Sequence, residues 1–350
     1  MKTKAELHII MPGVCGPLAE LVSLKNNAVI DDWVKFLSRS HQCPSATNVH
    51  DAVAEVFNLP AGKGVPSAAL SMLANDSYDA ARHYMHADPV HLRADLDHAV
   101  LTSSIDLAIS EQESALLCDA LNRHFNQDGL TFIRLNREQW LVSSENEIKI
   151  KTTPLVDATG RNINLLLPQG EEAGAWNKIL TEVQMLMHSH EVNAIREDSG
   201  QQSINSLWFH GCGELPEHVN KAITSVCSDH HLLKGLARQL ACDYLPVPAS
   251  AADYMAYLVK NQSHAVNVLH ISTLEHLINY TDVSIWLNAL DDLLNRWLYP
   301  LVEAAHENNI KLMLYPCNGQ QYHPVKYDVF KFWKKGTVGQ HISSHKSYVQ

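Results

Sequence analysis

His86, Asp88, His91, Arg93 and Asp95 form the densest run of chemistry-bearing side chains in this sequence. A guanidinium among imidazoles suits an anion, because Arg can grip two oxygens of a phosphate or carboxylate at once. One reading is therefore an anionic small molecule held through His91 and Arg93. The other is a hinge, with Asp88-Pro89 opening a loop and Asp88 and Asp95 capping helices or pairing with Arg93. Arg196 likewise reads either as a phosphate contact or as a surface ion pair with Glu197 or Asp198. His210 follows an apolar strand and precedes Gly211, which puts it at a strand end facing a cleft or buried against a backbone carbonyl. Asp229-His230-His231 has the composition of a metal cluster. Neighbouring residues of a helix point about 100° apart, so a helix start capped by Asp229 is expected instead. Cys212, between two glycines, reads either as a catalytic thiol or, as expected from the usual place of cysteines, as a buried structural one.

The elements that would carry these residues alternate between strand and helix. Leu7–Met11 is an apolar run stopped by Pro12-Gly13, a buried strand whose carboxyl end is where α/β proteins bind ligands. Helical spacing follows at Asp31–Ser38, Val49–Phe57 and from Ser67 to Ala74. Ser110-Glu111-Gln112-Glu113 is a capping box opening a helix to His124, and Asn126–Gly129 turns into the strand Thr131–Leu135. Gln139–Val142 pairs with it, and Trp176–His188 is a second long helix. Strands are expected again at Ser206–Phe209, Val266–Ile271 and Ile310–Tyr315. Helices are expected at Glu217–Val226, Leu232–Leu240, Ala251–Lys260 and Ile285–Asn308. Short apolar strands between helices imply a mostly parallel sheet with helices on both faces.

Composition narrows the function classes. A chain of 350 residues with 46% hydrophobic and 19% charged residues is an ordinary globular protein long enough for two domains. Its formal charge of -11 argues against nucleic acid, which needs a basic surface. The Lys326, Lys331, Lys334 and Lys335 series among Tyr327, Phe330, Phe332 and Trp333 is expected to be a solvated face over an aromatic stripe. No apolar run approaches the roughly 20 residues of a membrane span, and the short apolar run after Met1-Lys2-Thr3-Lys4, broken by Pro12, is not expected to be a signal peptide. Seven scattered cysteines without a Cys-x-x-Cys pair read as reduced thiols of a cytoplasmic protein. Gly62 and Gly64 match neither a Walker loop nor a dinucleotide fingerprint, and neither Gly-x-Ser-x-Gly nor His-Glu-x-x-His is present.

Several segments in order resemble the cofactor-independent phosphoglycerate mutases of the alkaline phosphatase superfamily, in particular the archaeal type and a divergent bacterial branch. They are Leu7–Met11, Ala68-Ala69-Leu70-Ser71-Met72-Leu73, His86–Asp95, and His190-x-Val192-Asn193-x-x-Arg196 with Asn205 and the turn Trp208-Phe209-His210-Gly211-Cys212-Gly213. The resemblance implies an alkaline-phosphatase-like α/β core formed by residues 1–92 and 200–350, with an inserted α+β domain at 93–199. It also implies substrate contacts at His86, Asp88, His91, Arg93, Arg196, Asn205 and His210.

Members of that family hold two divalent ions at strand ends with aspartates and histidines, beside a serine that attacks the phosphoryl group. Two cations about 4 Å apart neutralise the phosphoryl oxygens and activate the nucleophile. This sequence departs from the pattern. Met11-Pro12-Gly13 ends the first strand without a carboxylate, Pro316-Cys317 stands where Asp-His is expected, and Ser67 is the nearest hydroxyl to the nucleophile's place. Glu275, His276 and His323 are the remaining candidate ligands. The expectation is a protein without metal or other cofactor, acting as a non-catalytic binding or regulatory protein for a phosphorylated metabolite or a protein partner. The alternative is an active mutase or phosphohydrolase using Ser67, two Mn or Zn ions and that altered ligand set.

Overall fold

Strand-forming residues are spread along the whole chain, but they pair within two separate sets. The computed structural model describes residues 4–16, 27–60, 64–94, 99–261, 265–277 and 283–324. Its strands are β1 (Glu6–Ile10), β2 (His41–Pro44), β3 (His83–Ala94), β4 (Ala99–Thr102), β5 (Leu130–Arg134), β6 (Trp140–Ser144), β7 (Ser206–His210), β8 (Ile223–Cys227), β9 (Asp243–Leu245), β10 (Val266–His270), β11 (Lys311–Tyr315) and β12 (Gln320–His323). Contacts group Met1–Pro60 with His218–Gln350 in one unit and Ala61–Glu217 in another.

The first unit is built on a seven-stranded sheet in the order β2-β12-β11-β1-β10-β8-β9. From β11 to β9 all pairs are parallel, and β12 and β2 add an antiparallel edge. Strand β1 lies between β10 and β11, so both its neighbours come from the far end of the chain. Its Leu7, Ile9 and Ile10 are fully buried, the near-continuous burial expected where helices cover a parallel sheet. Leu7 and Ile9 pack with Trp33, Tyr254, Trp286 and Leu298. The expected helix near Asp31 runs Ala28–Arg39, with Asn27 accepting hydrogen bonds from the Val29 and Ile30 amides. The expected helix Ile285–Asn308 is interrupted: Val283–Leu293 and Tyr299–Glu307 flank a wider π turn at Leu294–Leu298. Pro300 has no N–H to donate one turn back, which favours a local widening there.

The second unit has a five-stranded sheet in which every pair of described strands is antiparallel. Long strand β3 pairs in succession with β6, β7 and β4. One face, carrying Met85, Ala87, Phe132, Val142, Leu207 and Phe209, packs beneath the helices Glu111–Phe125 and Ala173–His188. The other face carries Tyr84 and Leu141 and receives Ala68, Ala69 and Met72 of the helix Ser67–Ala74. Among the described residues no helix is long and apolar enough to cross a membrane.

Three expectations change. The stretch from His86 was expected to be a loop because of Asp88-Pro89, yet it lies within β3. Pro89 is tolerated because that part of β3 pairs with β7 alone, so its missing N–H can face the unpaired side. Glu217–Val226 was expected to be a helix, whereas Ile223–Cys227 is β8, held between β10 and β9. The expected domain edges at residues 92/93 and 199/200 both fall inside the second unit. Pairing of β3 with β7 and packing of the helix Ser67–Ala74 on β3 tie residues 64–92 and 200–217 to it. Asp95 and the lysine-aromatic series from Lys326 onward lie outside the described residues.

Candidate functional site

Alternation along a strand puts residues i and i+2 on one face, and cross-strand pairing sets a third residue opposite. In β3 this places His86 and Asp88 together, with His210 of β7 in register with His86. Nε2 of His210 lies 2.8 Å from Asp88 Oδ2, and the His86 and His210 rings stack with centroids 4.6 Å apart. Asp88 Oδ1 accepts the Trp140 backbone N–H at 2.8 Å. All three side chains are buried. Burial pushes the Asp88 carboxyl up to about 6, against the opposing pull of His86 and the Trp140 amide.

Ser67 opens the helix that covers this face and is itself buried, and among the described residues its hydroxyl makes no hydrogen bond. The Ala68 amide donates to the Gly211 carbonyl, which draws the helix start onto the end of β7. Gly211 has φ +67, and a Cβ there would lie 2.0 Å from Ser67 Oγ and 3.2 Å from His86 Cδ2. Only glycine fits that position.

The other expected substrate contacts have structural partners. Arg196 is not on the surface with Glu197 or Asp198. It is fully buried, donating from Nη1 to Glu113 Oε1 (2.9 Å), from Nη2 to the Leu107 carbonyl (2.6 Å) and from Nε to the Gln202 carbonyl (2.7 Å). Burial would raise the Glu113 carboxyl, but the Ser110 amide and hydroxyl together with Arg196 hold it below its ordinary value. Asn205 bridges the backbone N–H and C=O of Leu92, and His91 Nδ1 lies 2.8 Å from the Ser203 carbonyl. Arg93 is exposed. Asp229 does not cap the following helix; His230 does, accepting the Leu232 amide. Cys212 is partly buried, its thiol donating to the Ile150 carbonyl, and burial raises its pKa.

Glu275 and His276 do not join His323. His323 on β12 pairs with His41 on β2, and with Cys43 they form a second group of ligand-type side chains at the sheet edge. Among the described residues this trio and His86, Asp88 and His210 are the two such groups. Neither had been expected as a cluster, since His210 is far from β3 in sequence and β2 and β12, though paired, are far apart in sequence.

The family of 2,3-bisphosphoglycerate-independent phosphoglycerate mutases matches residues 79–193, which lie within the second unit. A mutase of that name from Methanosarcina barkeri is 24% identical over 71% of this chain and 69% of its own length. The one from Methanosarcina mazei is 23% identical over 64% of this chain and 61% of its length. The PH0037 protein of Pyrococcus horikoshii has a similar fold, with a TM-score of 0.53 at 13% identity, covering 93% of this chain and 88% of that one. The chain resembles the cofactor-independent phosphoglycerate mutases. Its α/β architecture agrees with the fold of the Pyrococcus horikoshii protein.

The di-metal pair of such mutases can be tested against the seven-stranded sheet of the first unit. Ile10, at the end of β1, is in register with His270 of β10 and Tyr315 of β11. The next residues along those strands are Met11, Ile271 and Pro316, all buried. They are tied together by the Met11 amide donating to Tyr315 O and the Ile271 amide donating to Ile10 O. Three apolar side chains cannot neutralise two dications. Beyond them, His270 sits with Ser228 Oγ 3.1 Å from its Nδ1 and the His230 ring nearby. Burial, then the charge of the neighbouring imidazole, lowers His270 to about 3; burial chiefly lowers His230 to about 4. Both rings are neutral near pH 7, and the described strand ends do not fit the pair of ions.

Proposed function

We infer that this mutase-like chain does not carry out two-metal phosphoryl transfer and acts as a binding or regulatory protein, with a phosphorylated small molecule as its candidate ligand. The reading rests on one observation: Met11, Ile271 and Pro316 stand in a buried apolar row across the carboxyl ends of β1, β10 and β11. Parallel sheets bind and act on ligands at that edge, and phosphoryl transfer there needs anionic ligands to hold its cations. The position of Ser67 supports the same reading, because its hydroxyl is buried against Gly211. A groove of about 330 Å³ in the second unit does not suit a phosphate, since Asp128, Glu147, Glu172 and Glu182 outnumber Lys178 along it. Arg93 is the exposed cation among the expected contacts.

The test is a coupled assay of 3-phosphoglycerate isomerisation with Mn²⁺ or Zn²⁺, run beside thermal unfolding with phosphorylated metabolites. The expected result is no turnover, with a rise in melting temperature that Arg93→Ala removes. Turnover that disappears in Glu275→Gln or His276→Gln would establish the altered ligand set and overturn the reading.

A further inference from the structure

We propose that His86, Asp88 and His210 bind one divalent transition-metal ion of the zinc class inside the second unit, at a place separate from the strand ends of the first. The donor atoms of the three residues all lie within 4.8 Å of one another. A tetrahedral zinc ion with bonds of about 2.0–2.2 Å holds its ligands roughly 3.3 Å apart. Closing the cluster on an ion therefore means turning the stacked His86 and His210 rings about their side-chain bonds so that their lone pairs converge. Two imidazoles and one carboxylate favour zinc-like ions over calcium or magnesium, which prefer all-oxygen shells.

The protein has buried a carboxylate with two imidazoles between a sheet and a helix. Such groups cost free energy in an apolar interior unless they are paired or ligate a metal. The His210–Asp88 contact joins two of them, the His86 ring stacks on His210, and an ion would be ligated by all three. Entry of the ion replaces the hydrogen between His210 Nε2 and Asp88 Oδ2 and leaves the His210 ring neutral with its proton on Nδ1.

Ser67 supplies an independent sign of a missing neighbour. Its hydroxyl is more than nine-tenths buried and has no hydrogen-bond partner among the described residues. It points at the same face, since Ser67 Oγ and the edge of the His86 ring both crowd the point where a Gly211 side chain would begin. A water molecule or hydroxyl at the fourth metal position would give it that partner. The ion would clamp β3, β7 and the start of the helix Ser67–Ala74 together, which is a structural role with no part in phosphoryl transfer.

The experiment uses the untagged full-length chain purified without chelator, analysed for metal and then titrated with Co²⁺ as a spectroscopic probe. The expected result is one equivalent bound with the intense visible absorption of tetrahedral cobalt. That signal is lost in His86→Gln and His210→Gln and kept in Cys43→Ser. No uptake by the folded wild type overturns the proposal. So does uptake that survives both glutamine variants, or that is lost in Cys43→Ser together with a sulfur-to-cobalt charge-transfer band, which would assign the ion to His41, Cys43 and His323. Should a glutamine variant fail to fold, X-ray absorption on the zinc-loaded wild type decides. Imidazole and oxygen scatterers alone support the site, and a sulfur scatterer overturns it.

Discussion

Replacing Arg196 with Met tests whether this residue is a frame member or a ligand contact. Arg196→Met keeps the length and apolar stem of the side chain but removes all three donors. The Leu107 and Gln202 carbonyls lose the bonds they accept, and Glu113 loses its buried cation. Breaking a buried ion pair by removing one partner costs about 3–5 kcal/mol, much of it the desolvation of groups left unpaired. The lower end applies, because the Glu113 side chain is 21% exposed and still accepts the Ser110 amide at 2.7 Å. A loss of roughly 3 kcal/mol in a unit of this size lowers the melting temperature by about 6–12 °C. Urea and thermal unfolding of the variant measure it. Arg196→Lys should recover little, since one ammonium cannot reach three separated acceptors. An unchanged midpoint in Arg196→Met, with loss of any response to phosphorylated ligands, would refute the structural role and return Arg196 to a binding site.

Two further outcomes follow from the geometry. Gly211→Ala places a methyl group against Ser67 Oγ and strains a backbone with positive φ, which should destabilise the second unit by roughly 2–3 kcal/mol. Combining it with Ser67→Ala should return part of that loss, and simple additivity in a double-mutant cycle would show that the two residues do not collide. In the first unit, His270 is held near 3, while the unfolded chain protonates at the ordinary value of 6.5. Its stability contribution is complete above about 6.5 and is lost as pH falls toward about 3; His8 and His230, both lowered to about 4, act in the same direction. Denaturant midpoints across that range should fall with acid, and His270→Gln should flatten the slope; a parallel slope in the variant would show that His270 does not contribute.

Local chemistry was enough to specify several elements from sequence. The capping box from Ser110 to Glu113 and the Val49–Phe57 helix each depend on neighbours within a few residues, and the apolar run of β1 is visible before its pairing partners are known. Trp286 and Trp297 are buried in the core of the first unit. The absence of carboxylates after β1 and β11 was also legible, because residue identity alone decides which ligands a strand end can offer.

The candidate metal cluster required tertiary structure. His210 lies 122 residues from Asp88, and nothing near either residue indicates that β7 pairs with β3. The same holds for Arg196, whose carboxylate partner is 83 residues away, and for β8, which becomes a strand between β10 and β9 despite a sequence read as helical. A backbone preference of a few tenths of a kcal/mol per residue governs isolated segments. Long-range strand pairing and the burial of charged groups contribute several times more, and only the assembled fold determines which distant residues supply those interactions.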